Sequence, residues 1–342
     1  MSKWSRYALA GILLVAIAST ACATEIWYED NNLGGSQEVP ADFMEKFQHP
    51  GSFKEATSYI RVYMVRAKWL DSVSDDFLIN VFKDYLKRND IKLAIDAGGA
   101  TFAQLANRRN ITNSELALYK HLKQLGITVD YISLQSVLSK SPKVDGEEIN
   151  YPMDKRIEDV VAYAKSVRET YPQVQIGIID ASPSQGKPFR KPYRLLKDAM
   201  DNAGTPLAFI HLDVAFDIPR EHRKGVSWRS LTELENYVEN DLGLKFGIFT
   251  TSRKGGMTSS KDFNDRVIAA LDCYTEAGGT PSSFIIASWY PYPETTIPEN
   301  ATGDDYPAMR TVKEFGRELK TIESHGEMRN FRFDRHSMCE AN

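Results

Sequence analysis

The sequence predicts an α/β protein folded as a single (β/α)8 barrel, following an N-terminal signal peptide. Three observations favour this fold. Eight short runs of β-branched or aromatic residues alternate with longer segments of helical spacing. The chain has 342 residues, which suits one barrel with loop insertions. The stretch EDNNLGGSQE after the first run lacks the GxGxxG spacing of a doubly wound nucleotide-binding sheet.

The first 23 residues have the features of an export signal. Lys3 and Arg6 precede the apolar run ALAGILLVAIA, and Ala21–Ala23 supplies small residues for signal peptidase. The run of about 11 residues is too short for a bilayer core, which needs roughly 20. We therefore expect a mature chain from Thr24, secreted or periplasmic, without stable membrane insertion.

The three cysteines leave two alternatives open. A lipoprotein could be anchored through Cys22, although Ser19 stands where a branched apolar residue would be expected. Signal cleavage would leave Cys273 and Cys339, which either form one disulfide, as export permits, or stay as two thiols.

Charge and composition exclude some partners. The net charge of −4 comes from interspersed acids and bases, so no basic stripe for nucleic acid is present. A hydrophobic content of 42% supports a sizeable core. We expect one barrel domain over residues 24–329 and a polar tail over 330–342. The oligomeric state does not follow from the sequence.

The eight predicted strands follow one another along the mature chain. Each is a short run rich in Val, Ile, Phe, Tyr or Thr. In order they are TEIWYED (24–30), YIRVYMVR (59–66), IKLAIDAGG (91–99), TVDYISLQS (128–136), VQIGIIDAS (174–182), LAFIHLDVAF (207–216), LKFGIFTTS (244–252) and SFIIASWY (283–290).

Helical segments are predicted between these strands, at 74–90, 113–126, 154–172, 228–243 and 260–279. The first crossover, from Asp30 to Thr57, is the least regular, and one helix is expected there. Ser74, Asn113 and Ser227 are candidate N-caps. Glycines stand where helices should end, at Gly126, Gly204, Gly243 and Gly278.

Polar residues follow the strands at the end where barrel enzymes carry their active sites. A charged side chain is costly to bury at the tip of an apolar strand unless it is paired, so a ring of them predicts one shared bowl. The tip residues are Glu29, Asp30, Arg66, Lys68, Asp96, Gln135, Ser136, Asp180, His211, Asp213, Thr250, Thr251, Arg253, Trp289 and Glu294.

His211 and Asp213 are two residues apart on one strand, so their side chains point the same way. They form either a structural pair or an acid/base unit. Asp96, before Ala-Gly-Gly, and Asp180, before ASPS, also suit capping or loop-fixing roles. A zinc site would need a second histidine at a strand tip, which is missing, so neither a metal nor a cofactor is expected.

Aromatic residues near the first and eighth strand ends favour a sugar ligand, because flat rings with polar rims stack on sugar rings. Ordinary core packing is the alternative for each ring. Pro291 and Pro293 stiffen the loop after the eighth strand. The predicted substrate-binding residues are Trp27, Glu29, Arg66, Asp96, Gln135, Trp289, Tyr290 and Tyr292.

With these motifs the sequence resembles the (β/α)8 glycoside hydrolases, and more narrowly a set of exported bacterial glycosidase-like barrels without assigned activity. The matching stretches are IGIID, FIHLDV, FGIF and SWYPYPETTIPE. The resemblance implies that Trp289 lines the sugar site and follows a non-proline cis peptide at Ser288–Trp289.

The sequence departs from the large retaining clan of that superfamily. That clan places glutamates at the ends of strands four and seven, where this chain has SLQSVLS and FTTSRKGG. The narrower set has Asp-Glu-Pro where this chain has Gln135-Ser136-Val137. Among the remaining carboxylates Asp180 and Asp213 are the best catalytic pair, with Glu29 or Asp96 as substitutes.

Two functions are therefore predicted as alternatives. The first is an exported glycoside hydrolase that acts on a polysaccharide by carboxylate acid/base chemistry, with Asp180, Asp213 and His211 as catalytic residues. The second is a catalytically inactive barrel of the same kind that binds glycan. Sugar, linkage, anomer and stereochemical outcome do not follow from the sequence.

Overall fold

A computed structural model of the chain describes residues 23–30, 42–144, 147–183, 186–217, 226–325 and 339. The predicted signal peptide and nearly all of the predicted tail lie outside these residues. Their boundaries therefore stay predictions.

Eight parallel strands close into a barrel, in the order β1-β8-β7-β6-β5-β4-β3-β2. All eight predicted strands are confirmed, and closure between β1 and β8 makes the sheet a cylinder. The strands are β1 Glu25–Glu29, β2 Ile60–Arg66, β3 Lys92–Ala97, β4 Tyr131–Gln135, β5 Gln175–Asp180, β6 Leu207–Leu212, β7 Lys245–Thr250 and β8 Ser283–Ile286. A small antiparallel hairpin, Lys143–Val144 with Glu147–Glu148, follows β4.

Helices cover the outside of the barrel. They are α1 Glu45–Gln48, α2 Lys54–Tyr59, α3 Ala67–Ser72, α4 Asp75–Phe77, α5 Lys83–Arg88, α6 Ala106–Gln124, α7 Met153–Thr170, α8 Arg190–Asn202, α9 Trp228–Asn236, α10 Arg253–Thr258, α11 Ser260–Glu276 and α12 Ala308–His325. A 3-10 turn, Pro50–Phe53, separates α1 from α2. π-helical turns join α4 to α5 at Leu78–Phe82 and extend α9 at Tyr237–Asp241.

Several helix boundaries are confirmed. Ser74 Oγ accepts a hydrogen bond from Phe77 N at 3.2 Å, and Ser227 forms a reciprocal cap with Ser230. The four predicted stop glycines all have positive φ, between 67° and 86°.

Two expectations about helices are wrong. Helix α6 begins at Ala106 rather than beside Asn113, and Glu115 reaches back from inside it to accept the N–H groups of Gly98 and Gly99. The carboxylate of Glu115 therefore stabilises the loop after β3 instead of the start of a helix. The first crossover holds α1, α2 and a 3-10 turn rather than one helix, because Pro50 and Gly51 interrupt it.

The core has two parts, one inside the barrel and one between the strands and the helices. The inner cluster includes Trp27, Met64, Tyr131, Phe209 and Phe249. Residues of the opposite parity on the same strands pack outward, against the helices. Because strand side chains alternate, this parity decides which polar tips face the mouth of the barrel.

A disulfide joins Cys273 to Cys339, with 5.4 Å between their Cα atoms. Of the two alternatives for these cysteines, one disulfide or two thiols, the structure has the disulfide. None of the helices in the described part of the chain is long and apolar enough to span a membrane.

Candidate active site

Three carboxylates and one guanidinium lie at the C-terminal mouth of the barrel. Glu29, Arg66 and Asp96 end β1, β2 and β3 on the parity of the inner cluster. Arg66 Nε is 3.5 Å from Glu29 Oε1 and 3.7 Å from Asp96 Oδ2. One arginine therefore bridges two buried carboxyl groups.

Burial disfavours the ionised form of these acids. Burial, together with the charge of Asp96, raises the pKa of Glu29 to about 8 against the opposing effect of Arg66. Burial likewise raises the pKa of Asp96 to about 7, again opposed by Arg66. The two acids therefore share protons near neutral pH.

Asp213 is the third acid at the mouth of the barrel. It follows β6 on the parity of Phe209 and His211, is partly exposed, and its N–H bonds the Asp180 carbonyl at 3.0 Å. Burial, with a contribution from the charge of Asp180, raises the pKa of Asp213 to about 6, and Arg66 lowers it. At pH 7 the fold therefore favours a protonated Glu29 and an ionised Asp213 at the same mouth.

Two polar atoms at this level have no hydrogen-bond partner in the described part of the chain. They are Asp96 Oδ1 and Thr251 Oγ1, and both are buried. Thr251 directly follows β7 on the parity of Phe249. A buried polar atom without a partner is costly, and such atoms concentrate at binding sites. The sequence named Thr251 only as a strand-tip residue.

Aromatic residues form one wall of the mouth. Half-exposed Trp289 packs on the inner cluster, 5.4 Å from Phe249 between ring centroids. Tyr290 lies against Gly256, where an added Cβ would come within 2.5 Å of it. Burial, followed by the charges of Asp213 and Asp217, raises the pKa of Tyr290 to about 12. Tyr290 therefore lies near the carboxylates of Asp213 and Asp217.

The loop after β8 is fixed by backbone contacts. Tyr292 N donates to Gly256 O at 3.0 Å, and Ser288 Oγ donates to Tyr292 O at 2.7 Å. The Ser288–Trp289 peptide is trans, which corrects the expectation taken from the resemblance. The cis peptides of the described chain precede Pro293 and Pro298 instead.

Asp180 does not face the mouth, which corrects the predicted catalytic pair. It ends β5 on the parity of Ile176 and Ile178, which pack outward. Its carboxylate accepts hydrogen bonds from Ser182 N at 3.1 Å, Ser182 Oγ at 3.0 Å and Tyr193 Oη at 2.8 Å. This saturated set fixes the loop after β5.

His211 and Trp27 lie inside the barrel, below the mouth. Each is at most 2% exposed, and their rings are 4.6 Å apart. His211 Nε2 is 3.3 Å from Ser283 Oγ, and burial lowers the pKa of His211 to about 3. The imidazole is therefore neutral, and the structure gives it no hydrogen bond to Asp213. Both residues support the floor of the site from below.

Gln135 ends β4, at the position where the sequence departs from the glycoside hydrolases that it resembles. The side chain of Gln135 is half-buried. Its main-chain carbonyl accepts a 2.8 Å hydrogen bond from Thr101 Oγ1. Among the described residues, no three His, Cys, Asp or Glu side chains are grouped so that they could hold a metal ion.

Comparisons with known proteins bear on the fold. No family model matches the sequence, and no curated protein matches it. Solved structures do resemble it. A psychrophilic glycoside hydrolase family 10 endo-β-1,4-xylanase has a TM-score of 0.50 at 12% identity, over 86% of this chain and 97% of its own.

Two further structures are similar to the same degree. A D-psicose 3-epimerase with D-tagatose, from Clostridium cellulolyticum H10, has a TM-score of 0.50 at 13% identity, over 86% of this chain and 98% of its own. A xylanase from Cellvibrio japonicus in complex with xylopentaose has a TM-score of 0.50 at 9% identity, over 87% of this chain and 68% of its own. At such identities the likeness shows the fold alone, a (β/α)8 barrel of the kind found in glycosidases, as the resemblance implied.

Proposed function

We propose that this protein is an exported glycoside hydrolase that acts on a polysaccharide, with Glu29 as general acid and Asp213 as its ionised partner. The observation that carries the proposal is that Arg66 contacts both Glu29 and Asp96 at the barrel mouth, while Asp213 follows β6 on the same inward-facing parity. Glycoside hydrolysis needs one protonated and one ionised carboxyl group, and these environments separate the two roles.

The chemistry follows from the two protonation states. The Glu29 carboxyl group gives its proton to the glycosidic oxygen as the bond from that oxygen to the anomeric carbon breaks. Asp213 takes a proton from the water that attacks the anomeric carbon, or attacks that carbon itself before water displaces it. Either route ends with two hydroxyl groups. On the first route Glu29 ends ionised and Asp213 protonated, so one proton returns from Asp213 to Glu29 through solvent before the next turnover. On the second route Glu29 takes the proton of the displacing water, which restores both carboxyl groups.

Asp96 and Arg66 adjust this pair. The Arg66 guanidinium lies between Glu29 and Asp96, so it limits how far burial raises the pKa of either acid. The Glu29 and Asp96 oxygens that contact Arg66 are therefore no more than about 7 Å apart. Asp96 Oδ1, which has no described partner, is available to a substrate hydroxyl.

Trp289 is the proposed sugar platform. Its indole is half-exposed at the mouth and is supported from below by Phe249. The xylanases and the epimerase that share the fold act on sugars by their names, which is consistent with a carbohydrate ligand.

The test compares charge-neutral variants with matched controls. Purified Glu29→Gln and Asp213→Asn are assayed on a panel of neutral, acidic and amino-sugar polysaccharides, by release of reducing ends. We expect turnover to fall by roughly 10²–10⁴-fold while glycan binding persists. Glu169→Gln and Asp198→Asn make the same changes at exposed helix positions and should retain full turnover.

A glycan-binding barrel without turnover is the second candidate, and Gln135 at the end of β4 favours it. In that case the wild-type protein would bind glycan and release no reducing ends from any polymer. Trp289→Ala would weaken binding under both functions, so turnover is the measurement that separates them.

Export is part of the proposal and has its own test. The N-terminal sequence features and the Cys273–Cys339 disulfide support an oxidising compartment outside the cytoplasm. Mass spectrometry of the protein from its native cells should give a chain that starts at Thr24. A lipid-modified chain starting at Cys22 would favour the anchored alternative, and an intact N-terminus would contradict export.

A further inference from the structure

A second cavity opens at the C-terminal end of β4, beside the candidate active site. Its volume is about 590 Å³, within the range of small-molecule sites. Gln135 lines this cavity and also ends β4 at the mouth, so the two sites share a wall. A chain of sugars bound at the barrel mouth, near Glu29, Asp96 and Asp213, could therefore continue into this second cavity.

The cavity carries surplus positive charge. Lys140 and Lys187 line it, and among the described residues of its wall Glu148 is the one acid. No ion pair joins Glu148 to either lysine within the described chain. The mouth next to it has no such surplus, because Arg66 is offset there by Asp213 and by the partly protonated Glu29 and Asp96.

Lys187 is held by the network that Asp180 organises. The ammonium of Lys187 donates to the carbonyl of Ser139, which ties the β5 loop to the β4 loop. Its backbone N–H donates to Ser182 O at 2.9 Å, and Ser182 in turn donates to Asp180 twice. The conspicuous carboxylate of β5 thus fixes a cation at the cavity.

Lys140 is held by a different group. The guanidinium of Arg156, which is 9% exposed, donates to the carbonyls of Leu138 and Lys140 and to Tyr151 O at 3.0 Å. Lys140 N also donates to Ser136 O at 3.2 Å. Its own ammonium makes no hydrogen bond or ion pair with a described residue. The loop therefore presents a free cation from a fixed backbone.

Hydroxyl groups line the same cavity, on Ser136, Ser139 and Ser141. Ser139 is 2% exposed, and its Oγ has no hydrogen-bond partner in the described chain. Ser136 has a φ of 53°, in the left-handed region that a residue with a Cβ occupies at a cost. Ser136 and Ser141, which are more exposed than Ser139, are the hydroxyl groups of this wall that a ligand can reach.

We propose that this cavity is a subsite for an acidic sugar residue of the substrate, such as a uronate. The inference rests on the proposed function and names its substrate class. Lys140 and Lys187 bind the carboxylate, while the serine hydroxyls and the Gln135 amide bind ring hydroxyls. The cations also offset the repulsion between an anionic chain and the carboxyl groups at the mouth.

The test is a binding titration that does not depend on turnover. Hexasaccharides of galacturonate and of mannuronate are each compared with their carboxyl-reduced neutral counterparts, and a sulfated galactan oligosaccharide distinguishes sulfate from carboxylate. We expect the wild-type protein to bind an acidic probe at least about tenfold more tightly than its neutral form. Equal affinity for every acidic and neutral probe would overturn the subsite.

Lysine variants connect that preference to the cavity. Lys140→Gln and Lys187→Gln should each remove most of it, while Lys165→Gln, which deletes the same charge on the exposed face of α7, should keep it. Lys140→Gln is the stronger test of the two, because its ammonium makes no structural bond in the described chain. A preference that survives the double variant would place acid recognition elsewhere and overturn the proposal.

The two proposals fail separately. If no polymer is hydrolysed but acidic oligosaccharides bind through Lys140, the hydrolase proposal fails and the subsite remains. If neutral polymers are hydrolysed and acidic ones bind no better, the hydrolase remains and the subsite fails.

Discussion

The hydroxyl of Tyr193 donates a 2.8 Å hydrogen bond to Oδ2 of Asp180, on the helix side of the barrel wall. This carboxylate at a strand tip therefore has a structural role, whereas the proposed catalytic residues lie on the opposite, inward face of the strands. Two adjacent acids, Asp180 and Asp213, consequently have different roles although their backbones are hydrogen-bonded.

Asp180→Asn and Asp213→Asn should therefore have opposite effects. Asp180→Asn exchanges a fully satisfied buried carboxylate for an amide, and we expect the free energy of unfolding to fall by about 1–3 kcal/mol with turnover changed less than about tenfold. Asp213→Asn should reduce turnover strongly and stability little. Denaturant unfolding and initial rates measure both. A catalytic collapse in a stably folded Asp180→Asn protein would contradict this assignment.

The pH dependence of kcat/KM should be bell-shaped. Asp213 must be ionised, so activity falls as the pH drops below its pKa of about 6. Glu29 must be protonated, so activity falls as the pH rises above its pKa of about 8. The maximum should lie near pH 7, between these limbs. Because these acids share protons, the two apparent pKa values of the bell-shaped profile belong to the set of interacting acids rather than to single residues. An activity that rises steadily to pH 10 would exclude Glu29 as the acid.

Glu29 should also reduce stability as the pH rises. Its pKa is raised from 4.5 to about 8 in the folded protein, so between these values the folded chain keeps a proton that the unfolded chain has lost. Unfolding therefore becomes easier as the pH rises through this window. Glu29→Gln cannot ionise, and it should gain about 3–4 kcal/mol relative to wild type between pH 5 and pH 8.

Urea titrations at several pH values measure this gain. Glu294→Gln, at an exposed position in the loop after β8, is the control and should follow the wild-type curve. Parallel curves for Glu29→Gln and wild type would show that the mouth does not hold Glu29 protonated.

Lys46 should be important for stability. It is 1% exposed, pairs with Asp30, and lies 4.0 Å from the centroid of Phe43. Burial lowers the pKa of Lys46 to about 8 in spite of the Asp30 charge. Lys46→Met leaves the Asp30 carboxylate buried without its cation, and we expect a loss of about 3–5 kcal/mol.

A double variant separates lost pairing from lost packing. Lys46→Met with Asp30→Asn removes both charges, so it should be less destabilised than Lys46→Met alone. Thermal unfolding of the two variants and wild type gives the comparison. Additive losses would mean that the ion pair itself contributes little.

The disulfide should stabilise the barrel. Cys273 lies in α11, and the bond closes a loop with a sequence separation of 66. Cys273→Ser should lower the free energy of unfolding by about 2–4 kcal/mol, and reduction of the wild-type protein should have the same effect. Thiol titration of the denatured, unreduced protein should find no free thiol at either position. Two titratable thiols would contradict the bond and weaken the argument for export.

The eight strands, most of the helices and the end of the barrel that carries polar residues could all be predicted from the amino-acid sequence. Those features depend on local patterns, namely β-branched runs, caps such as Ser74 and stop glycines such as Gly126. The same patterns identified Glu29, Arg66, Asp96 and Asp213 as candidates, because each directly follows an apolar run.

Which of the tip residues meet could not be predicted from the sequence and follows from the packing of the barrel. In a parallel barrel strands are buried on both faces, so IGIID is apolar throughout, and nothing in it tells whether Ile178 or Ile179 points inward. Closure assigned Ile179 to the interior and turned Asp180 towards Tyr193. It also brought Arg66 between Glu29 and Asp96, a contact between three strands separated by whole helices in the chain. Such pairings depend on the parity and register of the sheet, which are fixed by packing rather than by any local stretch of residues.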